Sequence, residues 1–406
     1  MGKTKPFFEM IDVFLPGDGF GVRLPGLFVS REGTVIATCQ KRKGDLEDTG
    51  HDTDILVQRS LDDGKTWVGQ QVVFTEPGVN TYLGPIFEDQ ETETLFIGFW
   101  KLPREEMDEM VALRNLGQGG GGFWLIKSND EGATWSEPRA FAPLPNRDGW
   151  VGTTGNSVHG IQLTGGPCGG RLVLPGWLYN EKEMAAATNE FHEPTNIPVS
   201  AICGGLLYSD DHGDTWQVGE VLPPGSSEVT LVESEDGSIY VNYRRSTEPY
   251  YNGLRRYARS TDGGESFCEH GQVPEQITPG CHAGLTRYPS ENPDNPDILL
   301  FSNPAWFYYR QPPWWNRIRL TVRASYDDGR NWFDPKLVIE GHAGYSDLAV
   351  THDKTILCIC ETELGWPEEK LDGWYNSLDF NRKRRPWCEG IRMARFNLEW
   401  MVGNDK

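Results

Sequence analysis

An eight-residue pattern recurs five times along this chain of 406 residues, and it constrains the fold more than any single residue does. The copies read SLDDGKTW (residues 60–67), SNDEGATW (128–135), SDDHGDTW (209–216), STDGGESF (260–267) and SYDDGRNW (325–332). Each keeps Ser-x-Asp-x-Gly-x-x-aromatic, at intervals of roughly 50–80 residues, the repeat scale of propellers and solenoids. These residue types suit a tight hairpin. The Asp can hydrogen-bond the backbone of its own turn, the Gly accepts positive φ, and the aromatic can fold back onto the sheet. The boxes are turn staples without chemistry of their own, so function must lie in the loops and strand ends that the scaffold positions.

Strand-like runs alternate with turn signals between the boxes: GTVIATCQ, DILVQRS, ETLFIGFW, GRLVLPGW, GSIYVNYRRS, DILLFSNP, RLTVRASY and KTILCICE. Forty-seven Gly, 27 Pro and 15 Trp suit many short strands joined by tight turns and padded by aromatics. The repeats span most of the length, so residues 1–406 are expected to form one domain. The best amphipathic helix, REEMDEMVALRN (104–115), reads as an insertion, followed by a Gly-rich loop at 117–122. A polar insertion covers 179–197. Another, WFYYRQPPWWN (306–316), combines aromatics and prolines in a way that suits an exposed rim able to stack on sugar faces.

The formal net charge of −21 argues against nucleic acid and anionic membrane surfaces as partners. It also opposes long-range steering of an anionic substrate, so a site for one must concentrate Arg locally. No stretch approaches the ~20 apolar residues of a membrane span. The start, MGKTKPFFEMIDVFLPG, lacks the apolar core and cleavage site of a secretory signal. Compartment and oligomeric state stay open. The eight Cys are scattered without metal-type clustering. Cys358 and Cys360 alternate along a strand-like run and cannot both face one partner, so buried free thiols are expected.

Three Arg at strand ends stand out: Arg23 in GVRLPGL, Arg244 in YVNYRRS and Arg317 in WWNRIRLTVR. They would converge only if their strands face a common axis, which spacing alone does not show. The boxes resemble the Asp boxes of sialidase-type propellers, and the resemblance extends over roughly residues 20–401. GVRLPGL resembles the Phe-Arg-Ile-Pro motif that opens the sialidase fold, with Val22 and Leu24 replacing Phe and Ile. SEVTLVESEDGSIYVNYRR resembles the stretch from a catalytic Glu to the second Arg of a triad. LLFSNP followed by RIRLTVRASYDDG resembles the third-Arg segment, and GYSDLAVTHDKTILCICE the strand pair bearing a nucleophilic Tyr. HGIQL with GRLVLPGW, and the terminal IRMARFNLEWM as a closing strand, match as well. The resemblance implies an all-β fold, a six-bladed β-propeller of four-stranded antiparallel blades.

Carried over residue by residue, the resemblance makes Arg23, Arg244 and Arg317 a clamp for a substrate carboxylate. Guanidinium forks donate paired, charge-assisted hydrogen bonds and never deprotonate. Arg245 and Arg319 are rivals. Arg244 and Arg245 cannot both point inward without a bulge, whereas Arg319 should share a face with Arg317. Tyr345 would be the nucleophile and Glu228 the carboxylate that takes its proton; sialidases are known for a Tyr in this role. The general acid would lie in the loop KRKGDLEDTGHDTDI, with Asp48 the best match and Asp45, Glu47 and Asp52 as alternatives. Arg42 resembles a pocket Arg that binds ring substituents, and Glu361 a residue that orients a clamp Arg.

The implied activity is that of a retaining exo-α-sialidase acting on sialylated glycans through a tyrosyl intermediate. The clamp supplies the positive charge and Tyr345 the nucleophile, so no metal or cofactor is required. Alternatives are a glycosidase for a related acidic sugar (KDN, Kdo or a uronate) and a non-catalytic sialic-acid lectin. A lectin would need the clamp but not the Tyr345–Glu228 pair.

Overall fold

The computed structural model describes residues 5–44, 52–103, 123–141, 144, 149–154, 158–180, 202–245, 253–290, 296–306, 317–364 and 388–403. The expected insertions at 104–115, 117–122, most of 179–197 and all of 306–316 but Trp306 lie outside them.

After β1 (Phe8–Phe14), the chain builds one antiparallel sheet after another. The first holds β2 (Phe20–Val29), β3 (Val35–Lys43), β4 (Thr53–Ser60) and β5 (Val68–Phe74). The second holds β6 (Val79–Asp89), β7 (Thr94–Pro103), β8 (Phe123–Ser128) and β9 (Arg139–Phe141). In the third, β10 (Trp150–Thr153) and β11 (Ile161–Gln162) both pair with β12 (Leu172–Asn180), followed by β13 (Ile202–Ser209) and β14 (Gln217–Val221). The fourth holds β15 (Ser226–Glu233), β16 (Ile239–Arg245), β17 (Leu254–Ser260) and β18 (Glu269–Ile277). The remaining strands are β19 (Gly284–Tyr288), β20 (Ile298–Pro304), β21 (Ile318–Ser325), β22 (Phe333–Val350), β23 (Ile356–Thr362) and β24 (Gly390–Phe396). All eight strand-like runs read from the sequence fall on strands.

The hydrogen bonding differs from six separate four-stranded sheets. Among the described residues there are five sheets, and the last has seven strands, β19 to β24 plus β1. The cause is β22, a single strand of 18 residues. Its first half pairs with β21 up to His342, and its second half pairs with β23 from Ala343 onward. The first strand closes the last sheet by pairing with β24, Phe8 opposite Phe396.

Apolar residues fill the seams between neighbouring sheets. Ile36, Ile55, Leu83 and Ile97 join the first to the second; Phe87, Phe96, Leu207 and Trp216 join the second to the third. Val173, Leu206, Val229 and Ile239 join the third to the fourth. Tyr240, Val273, Phe301 and Trp332 continue to the last sheet, and Val22, Leu27, Leu357 and Met393 bring the last sheet back to the first. A further cluster packs β20 and β21 against β22 to β24 within the seven-stranded sheet. The sheets therefore form a closed ring of propeller type, in which burial between faces replaces a central core.

All five boxes form the turn between the third and fourth strands of a set, and all five bond alike. In each, the Ser hydroxyl donates to the Asp at 2.8 Å. The Gly N–H donates back to the Ser at 2.8–3.0 Å. The Asp also accepts from the backbone N–H four residues on at 2.8–2.9 Å. The residue before the Gly also has positive φ, from 55° at Asp328 to 71° at Gly263.

Cys39, Cys168, Cys268, Cys281, Cys358 and Cys360 are free thiols, with Cys268 exposed and Cys39, Cys281, Cys358 and Cys360 buried. The closing segment is more than a strand. Asn397 follows β24 and caps a short helix, α1 (Leu398–Val402), accepting the Trp400 N–H at 3.1 Å. Trp400 then stacks on Phe8 at 4.5 Å, tying both ends of the chain together.

Candidate active site

Three of the innermost strands, β2, β15 and β22, break register where a predicted site residue sits. The β2–β3 register shifts between Arg23 and Gly26, and Leu24 has a left-handed φ of 57°. The β15–β16 register shifts between Ser227 and Val229, leaving Glu228 out of the ladder. The β22–β23 register shifts between Ala343 and Ser346, around Tyr345. A bulge re-aims a side chain that simple alternation would send elsewhere, and positive φ at a leucine is strain that the surrounding packing must hold.

The bulges bring distant residues together. The Tyr345 hydroxyl donates to Glu228 Oε1. Arg244 Nη1 donates to Glu228 Oε2 at 2.8 Å and to the Tyr345 hydroxyl at 3.5 Å. The Arg317 and Arg23 guanidiniums lie 5.1 and 5.8 Å from the centre of the Tyr345 ring. Fully buried Glu361 is a hub: Oε1 accepts Arg23 Nε at 2.6 Å and the Leu24 N–H at 2.9 Å, and Oε2 accepts the Tyr345 N–H at 3.1 Å. One carboxylate thus fixes both the first Arg and the backbone that carries Tyr345.

Protonation follows from this arrangement. Burial and the Glu228 charge push the Tyr345 phenol well above its ordinary value, against the pull of Arg244 and Arg317. Burial alone would raise Glu228, but the Arg244 charge and the hydrogen bonds from Arg244 and Tyr345 outweigh it and hold its carboxyl below the usual Glu value. At neutral pH the pair is a phenol hydrogen-bonded to a carboxylate, the form in which Glu228 can accept the Tyr345 proton. Burial opposes the Arg244 and Arg317 cations, yet Glu228 raises Arg244 and the nearby Cys281 and Tyr345 raise Arg317, so both stay charged.

Arg23, Arg244, Arg317, Glu228, Tyr345 and Glu361 are therefore one cluster. Arg245 is turned away, its Nη2 donating to Pro224 O at 2.7 Å. The expectation that Arg319 shares a face with Arg317 is corrected. Arg319 has a φ of 61° at another register shift and pairs with Glu340, so strand alternation fails there. Arg42 is buried one strand out from the centre, its Nε and Nη2 donating to Gln40 Oε1 at 3.1 and 2.9 Å. Gln40 stands opposite Arg23 in the ladder. Asp45, Glu47 and Asp48 lie outside the described residues. Asp52 accepts the Lys43 N–H through its carbonyl at 3.0 Å.

Sequence reasoning missed three neighbours: His282, buried against the Tyr345 ring; Arg255, fully buried behind it; and Asp347, in the ring of inner strands. Asp347 Oδ2 accepts the Leu27 N–H at 3.0 Å, and Oδ1 lies 3.1 Å from His159 Nδ1. Space here is tight, since a Cβ on Gly284 would fall 2.7 Å from the Asp347 Cα. Only tertiary contact reveals these roles, because each lies in an ordinary-looking strand or turn.

The BNR repeat-like domain family matches residues 33–358. The chain belongs to this bacterial-type sialidase family. It is 29% identical to a sialidase of Micromonospora viridifaciens across 98% of its own length, but spans only 55% of that relative. Among solved structures it resembles the Hadza microbial sialidase Hz136, with a TM-score of 0.71 and 22% identity, covering 94% of this chain and 66% of that one. It also resembles the intramolecular trans-sialidase of Ruminococcus gnavus, with a TM-score of 0.67 and 17% identity over 97% of this chain and 98% of the other. At these identities the structural likenesses speak for the fold.

Proposed function

We propose that the chain is a retaining exo-α-sialidase, with Arg23, Arg244 and Arg317 clamping the substrate carboxylate. The observation that carries this reading is the Tyr345 hydroxyl bonded to the Glu228 carboxylate among three arginines. An anionic Asp or Glu nucleophile would be repelled by a carboxylate on the anomeric carbon; a phenol is not. Tyr345 passes its proton to Glu228 as its oxygen bonds to the anomeric carbon. The glycosidic bond breaks, and Asp48 protonates the departing oxygen. Water then attacks the tyrosyl intermediate, giving its proton to Asp48, while Glu228 returns the first proton to Tyr345. A site that merely bound sialic acid would have no use for the Tyr345–Glu228 pair. In this reading the fold is a six-bladed propeller, with β22 shared by two four-stranded blades.

The test is release of 4-methylumbelliferone from its α-N-acetylneuraminic acid glycoside, beside the deaminated analogue. Turnover of the first is expected. Turnover of the second alone would keep the mechanism and move the specificity to a related acidic sugar. Silence on both from folded protein would overturn the proposal in favour of a lectin or another acidic-sugar enzyme.

A further inference from the structure

The short segment 280–282, between β18 and β19, touches the cluster twice and its neighbour Arg255 once. Gly280 O accepts Arg317 Nη2 at 3.2 Å. Cys281 O accepts Arg255 Nη1 at 3.0 Å. The His282 ring meets the Tyr345 ring at a centroid distance of 5.5 Å and an angle of 67°, an edge-to-face contact. Arg255 braces the segment from behind. Its Nε donates to Asn242 Oδ1 at 2.7 Å, and Asn242 Nδ2 donates to Gln276 Oε1 at 2.7 Å. Asn242 precedes Arg244 by two residues on β16, so one strand face carries both the brace and a clamp arginine.

Tyr345 must aim its oxygen at Glu228 and at an anomeric carbon together, and rotation of the ring spoils both. Arg23 and Arg317 approach the ring as cations; His282 approaches it uncharged. Burial, with Arg255 and Arg244 nearby, depresses the imidazole to about 3 against the pull of Glu228. Neither ring nitrogen has a hydrogen-bond partner among the described residues. A proton relay needs a partnered nitrogen and an imidazole that titrates near the working pH, and His282 offers neither. What it offers Tyr345 is its ring.

We propose that His282 is a positioning residue for the nucleophile, its ring packing against Tyr345 to fix the direction of the phenol oxygen. The inference rests on the sialidase reading above. The test compares His282→Phe, His282→Gln and His282→Ala for kcat and KM on the aryl sialoside. Rates are normalised to the fraction of sites that bind the free sugar acid, and thermal melts report folding. His282→Phe keeps a ring and should hold kcat within about 3-fold. His282→Gln and His282→Ala lose it and should lower kcat roughly 10–100-fold, the penalty of a nucleophile displaced by about an ångström, with KM nearly unchanged. A merely structural residue would lower the melting temperature and the binding fraction without moving normalised kcat.

Wild-type kcat in folded His282→Gln overturns the proposal, as does a folded His282→Phe as slow as His282→Ala. If His282→Phe does not fold, the glutamine variant decides alone. Tyr345→Phe runs alongside to separate the two levels. An inactive wild type sinks the sialidase reading and this inference together. An active wild type, a dead Tyr345→Phe and a fully active His282→Gln sink this inference only.

Discussion

The outer turns and the inner strands of this propeller-type ring obey opposite rules. Each Asp box staples itself through Ser, Asp and Gly hydrogen bonds that span at most four residues, and all five copies repeat those bonds. The inner strands hold register shifts, a left-handed leucine and buried charges. Their decisive contacts join residues 338 apart at Arg23–Glu361, 117 apart at Tyr345–Glu228 and 188 apart at His159–Asp347. Repetition builds the scaffold, and local departures from regularity build the site. A strict strand ladder could not aim Arg23, Glu228 and Tyr345 at one point.

The sharpest way to break this contrast is at the proposed nucleophile. Tyr345→Phe removes one oxygen and should cut turnover of a natural sialoside by roughly 10²–10⁴-fold, with binding of the free sugar acid retained in calorimetry. Equal loss of both would make Tyr345 structural and dissolve the functional side of the comparison. Next in size is Glu361→Gln. It removes the Glu361 charge that buried Arg23 bonds, so stability should fall by up to about 3–5 kcal/mol in thermal or denaturant melts, with kcat/KM falling too. A neutral result would mean that the bulge at Leu24 is held by packing alone.

A smaller effect is expected at the pin between inner strands. Burial disfavours the His159 cation, but Asp347 more than compensates and raises its pKa above 6.5. The stabilisation from that cation is therefore full below about pH 6.5 and is lost as pH rises through the raised value. His159→Gln should lower the melting temperature most at pH 6 and progressively less at higher pH. A pH-independent difference would show that the pair works uncharged. The smallest effect belongs to the turns. Asp130→Ala deletes the acceptor of one half-exposed box and should cost about 1 kcal/mol, with kcat/KM unchanged. A loss of activity there would show that turns and centre are coupled after all.

The boxes and most strands were legible because their determinants are local: turn residues at set offsets, and alternating apolar runs. Arg23, Arg244, Arg317, Tyr345, Glu228 and Glu361 were legible only as motifs resembling those of a family. Strand alternation handled Arg245 correctly, because β16 runs regularly there, and failed for Arg319, because positive φ interrupts β21. The seven-stranded sheet escaped notice since nothing in residues 333–350 marks where one pairing partner gives way to the next. His282 carried no sequence signal beyond its type; its meaning comes from the ring it touches.

By itself the sequence determined the repeated hairpin, the all-β architecture and the supply of arginines that an anion site needs on so acidic a chain. Those features depend on bonds within a few residues and on composition. The tertiary structure decided which arginines face the centre, which carboxylate holds Arg23 and which ring packs against Tyr345. Closing the ring of sheets brings strand ends from opposite parts of the chain within hydrogen-bond reach, and the bulges that aim them persist only because their neighbours hold them in place.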